Sequence, residues 1–280
     1  MPELPEVENV RLTLARHILG RQIVSVHIRR ADIIEGSATE SALLRGQHIG
    51  EMVRHGKQLA IQTSPQGPSL CVHLGMTGSL RYHSPSTALD NPLLTDKHVH
   101  LHWRLDDGGH LTFRDPRRFG GLWTFTDFPQ LQVGRWSSLG PDALLITPRQ
   151  LHASLARTRR PIKAGLLDQS LVAGLGNIYV DETLFACQIH PLTPGIAITP
   201  AQASQLVRTF KAILKRAIHS GGSTIRNYAN GEGVAGQFQK TLQVYGRSGQ
   251  PCVTCKAILL SLTVIGRSTT CCPHCQPIPD

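Results

Sequence analysis

The sequence predicts an α+β protein of more than one domain, and three observations carry that prediction. After an initial amphipathic stretch, residues 1 to 133 alternate short β-rich runs with turn clusters. Residues 134 to 222 switch to helix-forming sequence, and the tail, 223 to 280, ends in two Cys-x-x-Cys pairs. A chain of 280 residues holds enough sequence for about two domains with cores of their own.

The first element is PEVENVRLTLARHILG. Val7, Val10, Leu14 and Ile18 recur at helical spacing, Pro5 fits the first helical position, and Gly20 fits the C-terminal cap. The runs QIVSVHI, QLAIQTS, SLCVHLG, HVHLHWRL, HLTFRD and LWTFTDF follow. Clusters such as TSPQGPS and DDGG separate them, and the pattern predicts a sandwich or a barrel. Residues 147 to 191 read as helices broken by short turns. TPAQASQLVRTFKAILKRAIHSGG reads as one amphipathic helix with Thr199 as cap and Pro200 at its first position. GGSTIRNYANGEGVAGQF is Gly-rich and polar and predicts a mobile loop.

Lys and Arg number 29 against 19 acidic residues, a net charge of +10, which points to a polyanionic partner. The cations are spread along the chain, as a folded binding groove requires, and 14 His add charge below neutral pH. No apolar run is long enough to span a membrane, and no signal-peptide pattern is present, so a membrane partner is not expected. Seven Cys, an odd count, fit a reducing cytosol; Cys71 and Cys187 sit in apolar segments and read as packing residues.

The strongest local signal is Cys252-x2-Cys255-x16-Cys272-x2-Cys275, the spacing of a four-thiolate zinc ribbon. Redox thiols or disulfides are the competing reading. Cys271 adjoins Cys272, but only Cys272 forms the two-residue spacer with Cys275. The intervening KAILLSLTVIGRSTT predicts a β-hairpin with its turn at Gly266–Arg267.

Other stretches leave two readings open. DPRRFGGLW, residues 115–123, is either an ordinary hairpin or a wedge in which an Arg bonds to bases while Phe119 inserts between them. HLGMTGSL, residues 73–80, puts Met76 on a Gly-flanked turn, as a second wedge or a core residue. In GLLDQSLVAGLGNIYVDETLF, Gly174, Gly176 and Asn177 interrupt the helical pattern; the exposed amides either bind phosphate or serve a packing turn. MPELPEVENV is a good helix start. Once Met1 is removed, Pro2 also carries a free secondary amine, a candidate nucleophile.

PELPEVE, HGK at 55–57, HLGMTGSL, DPRRFGG, GLGNIYVDE, GGSTI, LQVYGRSGQPC and the four-Cys ribbon occur in one order along the chain. Together they resemble the formamidopyrimidine-DNA glycosylases, bacterial base-excision enzymes for oxidised purines, over essentially the whole length. The sister branch, endonuclease VIII, starts PEGPE; Leu4, the Met turn and DPRRFG favour the purine branch. A catalytically silent zinc-ribbon DNA-binding protein is the alternative from another class.

The resemblance implies an N-terminal β-sandwich (1–133), a helix-two-turn-helix domain (134–222), and a lesion-capping loop with a zinc finger (223–280) holding one Zn²⁺. It implies a monomer acting on damaged duplex DNA in the bacterial cytoplasm, with glycosylase and abasic-site lyase activity by β,δ-elimination. Pro2 matches the family's nucleophile and Glu3 its general acid. Lys57 matches the lysine of β-elimination and Arg267 the arginine of δ-elimination, and both also hold phosphate. Met76, Arg117 and Phe119 match the trio that fills the gap left by a flipped base, with Arg117 facing the orphaned cytosine. His73, His98, Lys163 and Asn177 match DNA contacts, and Arg159 matches a basic position ahead of the helical motif. The 223–238 segment matches the loop that closes over the flipped base.

Overall fold

The computed structural model describes residues 1–64, 66–86, 95–225 and 228–278. The chain divides into two compact units, residues 1–137 with 220–237, and residues 138–219 with 238–280.

The first unit opens with helix α1 (Leu4–Ile18). Glu3 caps it in an extended conformation, and the Glu6 carboxylate accepts the Glu3 N–H at 2.9 Å. Pro5 is its second residue, one later than expected. Gly20, at φ +76°, follows the C-cap Leu19 and supplies the left-handed turn that ends the helix. Val7, Val10, Leu14 and Ile18 are all buried.

Nine strands follow among the described residues: β1 (Ile23–Ile28), β2 (Ile34–Glu35), β3 (Glu51–His55), β4 (Gln58–Gln62), β5 (Ser69–His73), β6 (Ser79–His83), β7 (Val99–Leu105), β8 (His110–Arg114) and β9 (Gly121–Phe125). They form a four-stranded sheet, β1-β7-β8-β6, and a five-stranded sheet, β2-β9-β5-β4-β3. All pairings are antiparallel except β2 with β9. Both sheets and α1 share one core. Leu101, Trp103, Leu111 and Phe113 come from one sheet, Leu59, Ile61, Leu70, Val72 and Leu122 from the other. Of the sequence's two options this is the sandwich. After β9, Asp127 caps the short helix α2 (Phe128–Leu131), accepting the Gln130 N–H at 2.8 Å. The helix widens into a π turn over Gln132–Trp136.

The second unit contains α3 (Pro148–Leu155), α4 (Ile162–Leu167), α5 (Asn177–Ala186) and α6 (Pro200–His219), then the hairpin β10 (Leu260–Val264) and β11 (Arg267–Cys271). At the start of α6, Thr199 Oγ1 accepts the Gln202 N–H and the Gln202 side chain accepts the Thr199 N–H, a reciprocal cap. Its buried face is Ala203, Leu206, Val207, Phe210, Ile213, Leu214 and Ala217. The hairpin turn is Ile265–Gly266, both at positive φ (+43° and +71°), one residue earlier than expected. Arg267 is therefore the first residue of β11, opposite Val264.

The four-stranded sheet buries an imidazole pair. His102 Nε2 lies 2.8 Å from His110 Nδ1, and the His102 ring stacks on His27. Burial, then the neighbouring His110, His27, His83 and Arg104, push His102 down from 6.5 to about 4. The unfolded chain therefore takes up the proton first, and His102 lowers folding stability as pH falls from 6.5 toward 4. Denaturant unfolding at pH 7 and pH 5 is expected to show this loss, and His102→Gln is expected to show less of it.

Candidate functional site

In the first unit the chain start is held from both ends of one carboxylate. Pro2 and Glu3 are buried, while Met1 is half exposed. Glu6 Oε2 takes the Glu3 N–H and Glu6 Oε1 takes the Ser223 N–H at 2.7 Å. The Tyr228 hydroxyl donates to the Glu6 carbonyl at 3.1 Å. Gly222, at φ +84°, passes so close that a Cβ there would sit 3.1 Å from Glu6 Oε1. Further along, Gly231 donates to Thr13 Oγ1 at 2.9 Å and accepts the Tyr82 N–H at 2.8 Å. The described part of the Gly-rich segment is thus tied to α1 and β6; Arg226 and Asn227 of the expected capping loop lie outside the described residues.

Lys57 follows Gly56 in the β3–β4 turn and is buried. Its charge acts on His73, whose Nδ1 accepts the Gly75 N–H at 3.3 Å. Burial first, then the cations Arg135 and Lys57, push His73 down to about 4 against the pull of Asp115. At neutral pH His73 is an uncharged imidazole. Arg135, which no sequence motif singles out, has its guanidinium carbon 3.4 Å over the Trp123 ring centroid and donates to Gln58 Oε1 at 3.2 Å.

Met76, Arg117 and Phe119 come together because two loops touch. Gly75 has φ +59°, and a Cβ there would lie 2.3 Å from the Gly120 nitrogen; only glycine allows that approach. The fully buried Asp115 carboxylate fixes both loops. It accepts the Thr77 hydroxyl, the Arg117 N–H at 3.2 Å and the Gly120 N–H at 2.7 Å. Met76 and Phe119 stand 42% and 55% exposed, and the Arg117 guanidinium lies 4.4 Å over the Phe119 ring. His98 is half-buried beside this group, its carbonyl accepting the Asp115 N–H at 3.0 Å.

In the second unit Asn177 opens α5, and its Nδ2 donates to the Ser268 carbonyl at 2.8 Å, next to the exposed Arg267. Asn177 Oδ1 is buried with no hydrogen-bond partner among the described residues. Lys163 departs from the expected phosphate contact. It is fully buried, its ammonium 2.6 Å from Asp181 Oδ1 and 3.2 Å from the Ser268 carbonyl. A basic residue in such a pair has no charge left to offer a phosphate without abandoning a buried carboxylate. Arg159 is exposed ahead of α4. Glu182 accepts the N–H groups of Gln243, Val244 and Tyr245, all within 3.0 Å, and anchors the approach to the ribbon.

The four predicted cysteines converge. Their sulfurs lie within 4.8 Å of one another, with Cys255–Cys272 at 3.4 Å and Cys252–Cys275 at 3.9 Å. Tetrahedral Zn²⁺ with Zn–S bonds of about 2.3 Å needs sulfurs about 3.8 Å apart, so the donor set fits that ion. Cys271 is buried in β11 and is not part of the group.

A buried Pro2 on a sandwich, an exposed Met–Arg–Phe cluster, a helix that opens on Asn177 and a four-thiolate ribbon are features that fit a zinc-finger DNA glycosylase. Residues 1–122 match the model of the formamidopyrimidine-DNA glycosylase N-terminal domain and residues 139–229 that family's H2TH domain. Residues 249–278 match the zinc finger found in FPG and IleRS. The formamidopyrimidine-DNA glycosylases of Bacillus anthracis and Symbiobacterium thermophilum are each 39% identical. The first alignment covers 99% of both chains; the second covers 100% of this chain and 90% of the relative. Among solved structures, the Lactococcus lactis Fpg complex with abasic-site DNA superposes with TM-score 0.87 at 33% identity, over 99% of this chain and 100% of that one. MutM (FPG) from Thermus thermophilus gives 0.85 at 35%, over all of both chains. The chain belongs to the formamidopyrimidine-DNA glycosylase family.

Two outcomes follow from this geometry. Asp115→Ala strands the Gly120 amide and the Thr77 hydroxyl, leaves the Arg117 amide on its longer 3.3 Å contact with Thr77 Oγ1, and is expected to cost about 2–4 kcal/mol in denaturant unfolding. Metal analysis is expected to find one zinc per chain, and Cys272→Ser is expected to lower that content and the melting temperature together.

Proposed function

We propose that the chain is a bifunctional glycosylase and abasic-site lyase for oxidised purines, 8-oxoguanine and formamidopyrimidines, in duplex DNA. The observation that carries this reading is the chain start: Pro2 is buried and pinned through Glu3 and Glu6, where a free terminus would fray. Relatives named for formamidopyrimidine excision, and a MutM structure with DNA containing carbocyclic 8-oxo-G (32% identical, TM-score 0.86, 99% of this chain), support the substrate class.

With Met1 removed, the Pro2 nitrogen attacks C1′ of the flipped nucleotide. The N–C1′ bond forms, the glycosidic bond breaks, and the base leaves with a proton. Glu3 supplies a proton to the opening sugar. Because Pro2 is a secondary amine, the product is an iminium, cationic without protonation. It acidifies the C2′ proton; loss of that proton expels the 3′ phosphate, and a second elimination expels the 5′ phosphate. Lys57 and the neutral His73 donate to the phosphate beside the lesion, and Arg267 to the phosphate lost in the second elimination.

Met76 and Phe119 occupy the gap left by the extruded nucleotide, and Arg117 bonds the unpaired cytosine. Asn177 presents the amide-rich start of α5 to a phosphate, while His98 and Arg159 add contacts to the duplex. The labour divides by segment: 1–133 for chemistry and wedge, 134–222 for backbone grip, 223–280 for the capping loop and finger. The four thiolates hold Zn²⁺ as a structural ion that folds the ribbon. The enzyme works as a monomer on cytoplasmic DNA, a setting that the net charge of +10 and the bacterial relatives support.

Borohydride added during reaction with 8-oxoguanine·cytosine duplex is expected to trap a covalent protein–DNA adduct. Pro2→Gly, or protein that retains Met1, is expected to trap at least about tenfold less. Preferred cleavage of thymine glycol duplexes would overturn the purine assignment; no adduct from protein with a free Pro2 would overturn the chemistry.

A further inference from the structure

Lys163 and Asp181 are buried charges that none of the steps above uses. Removing two ions from water costs several kcal/mol each, and a packed apolar pair serves a purely structural need at least as well. What the ions gain is a hold on β11. Lys163 Nζ donates to the Ser268 carbonyl at 3.2 Å, and Asp181 Oδ2 accepts the Thr270 N–H at 3.1 Å. Asn177 Nδ2 donates to that same Ser268 carbonyl at 2.8 Å.

β11 is the second strand of a two-stranded ribbon and has β10 as its one partner strand. Its other edge would present unpaired backbone groups. Lys163 from α4, and Asn177 and Asp181 from α5, take up those groups at alternate residues 268 and 270. The held edge begins one residue after Arg267. On the other side of Arg267 is a two-residue turn with Ile265 in the left-handed region at φ +43°. A non-glycine residue there is uncommon, so the turn alone is a poor anchor for a long exposed side chain.

We propose that Lys163 and Asp181 are positioning residues for Arg267, setting through the Ser268 and Thr270 backbone the place from which its guanidinium meets DNA phosphate. This rests on the phosphate role given to Arg267 above. Neither residue touches DNA. Their effect passes entirely through the first residues of β11.

A double-mutant cycle on abasic-site duplex DNA tests it, using the full-length zinc-loaded protein. The arms are K163M/D181L, R267Q and the combination, read as kcat/KM for strand cleavage and as the ratio of δ- to β-elimination product. Zinc content and melting temperature are measured alongside. Replacing both ions leaves no orphaned charge, so zinc binding and cooperative melting are expected to survive. R267Q is expected to lower kcat/KM about tenfold or more, the scale of one charge-assisted hydrogen bond. K163M/D181L is expected to reproduce most of that loss and the same fall in δ product, and R267Q added to it to cost less than about twofold more.

If R267Q costs its full factor in both backgrounds, or K163M/D181L cleaves as the parent does, the inference is overturned and the role of Arg267 stands. If R267Q alone leaves cleavage unchanged, the inference falls together with that role. Should K163M/D181L lose zinc, D181N is put through the same cycle. Its amide is close in size to the carboxylate but grips Lys163 weakly, and the same non-additivity with R267Q is expected. Additive losses there overturn the inference.

Discussion

The Glu6 carboxylate is the constraint on which the chain start depends. One oxygen holds the N–H of Glu3, and the other holds the N–H of Ser223, 217 residues away. A helix N-terminus welcomes a carboxylate in its first turn, because unpaired amides and the helix dipole both favour negative charge there. The same group therefore stabilises α1, orients the Pro2–Glu3 dipeptide and fastens the segment that follows α6. A nucleophilic amine gains most from being held in reach of its target, since orientation alone can account for several kcal/mol of a barrier. An N-terminus ordinarily supplies none of that order.

The wedge obeys the same physics with a different acid. Asp115 cannot contact a duplex; it is fully buried, and its oxygens are spent on Thr77, Arg117 and Gly120. What it secures is that Met76 and Phe119 project from two separate loops as one exposed surface. Arg117 over Phe119 adds a cation held against an aromatic face. Lys57 lies close enough to His73 for its charge to act on the imidazole, and a neutral ring beside a lysine avoids like-charge repulsion there.

Much of this was legible in the sequence because the chemistry comes in contiguous words: MPELPE, HLGMTG, DPRRFGG and two Cys-x-x-Cys pairs. α1, α6 and the ribbon were legible from spacing and caps. Strands β3 and β6 were not, because each has a single buried residue, Met52 and Leu80, and no alternation to read. The organising acids Glu6, Asp115, Asp181 and Glu182 were opaque for a different reason. Each accepts backbone amides, which carry no residue signature, and Glu6, Asp181 and Glu182 each reach at least one such amide more than sixty positions away. Lys163 reads as a surface cation until Asp181 is seen facing it from the next helix. The hairpin turn moved by one residue because Ile265, a β-branched residue, accepts a left-handed conformation that sequence rules reserve for glycine or asparagine.

That the terminal amine, and no lysine, is the nucleophile is tested most directly by locating the bond it makes. The borohydride-reduced adduct with abasic-site DNA can be digested with nuclease and protease and its peptides mapped by mass spectrometry. The remnant sugar is predicted on the nitrogen of Pro2, in a peptide that has lost Met1. A remnant on Lys57, or on any side chain of a protein whose Pro2 is free, would contradict the mechanism.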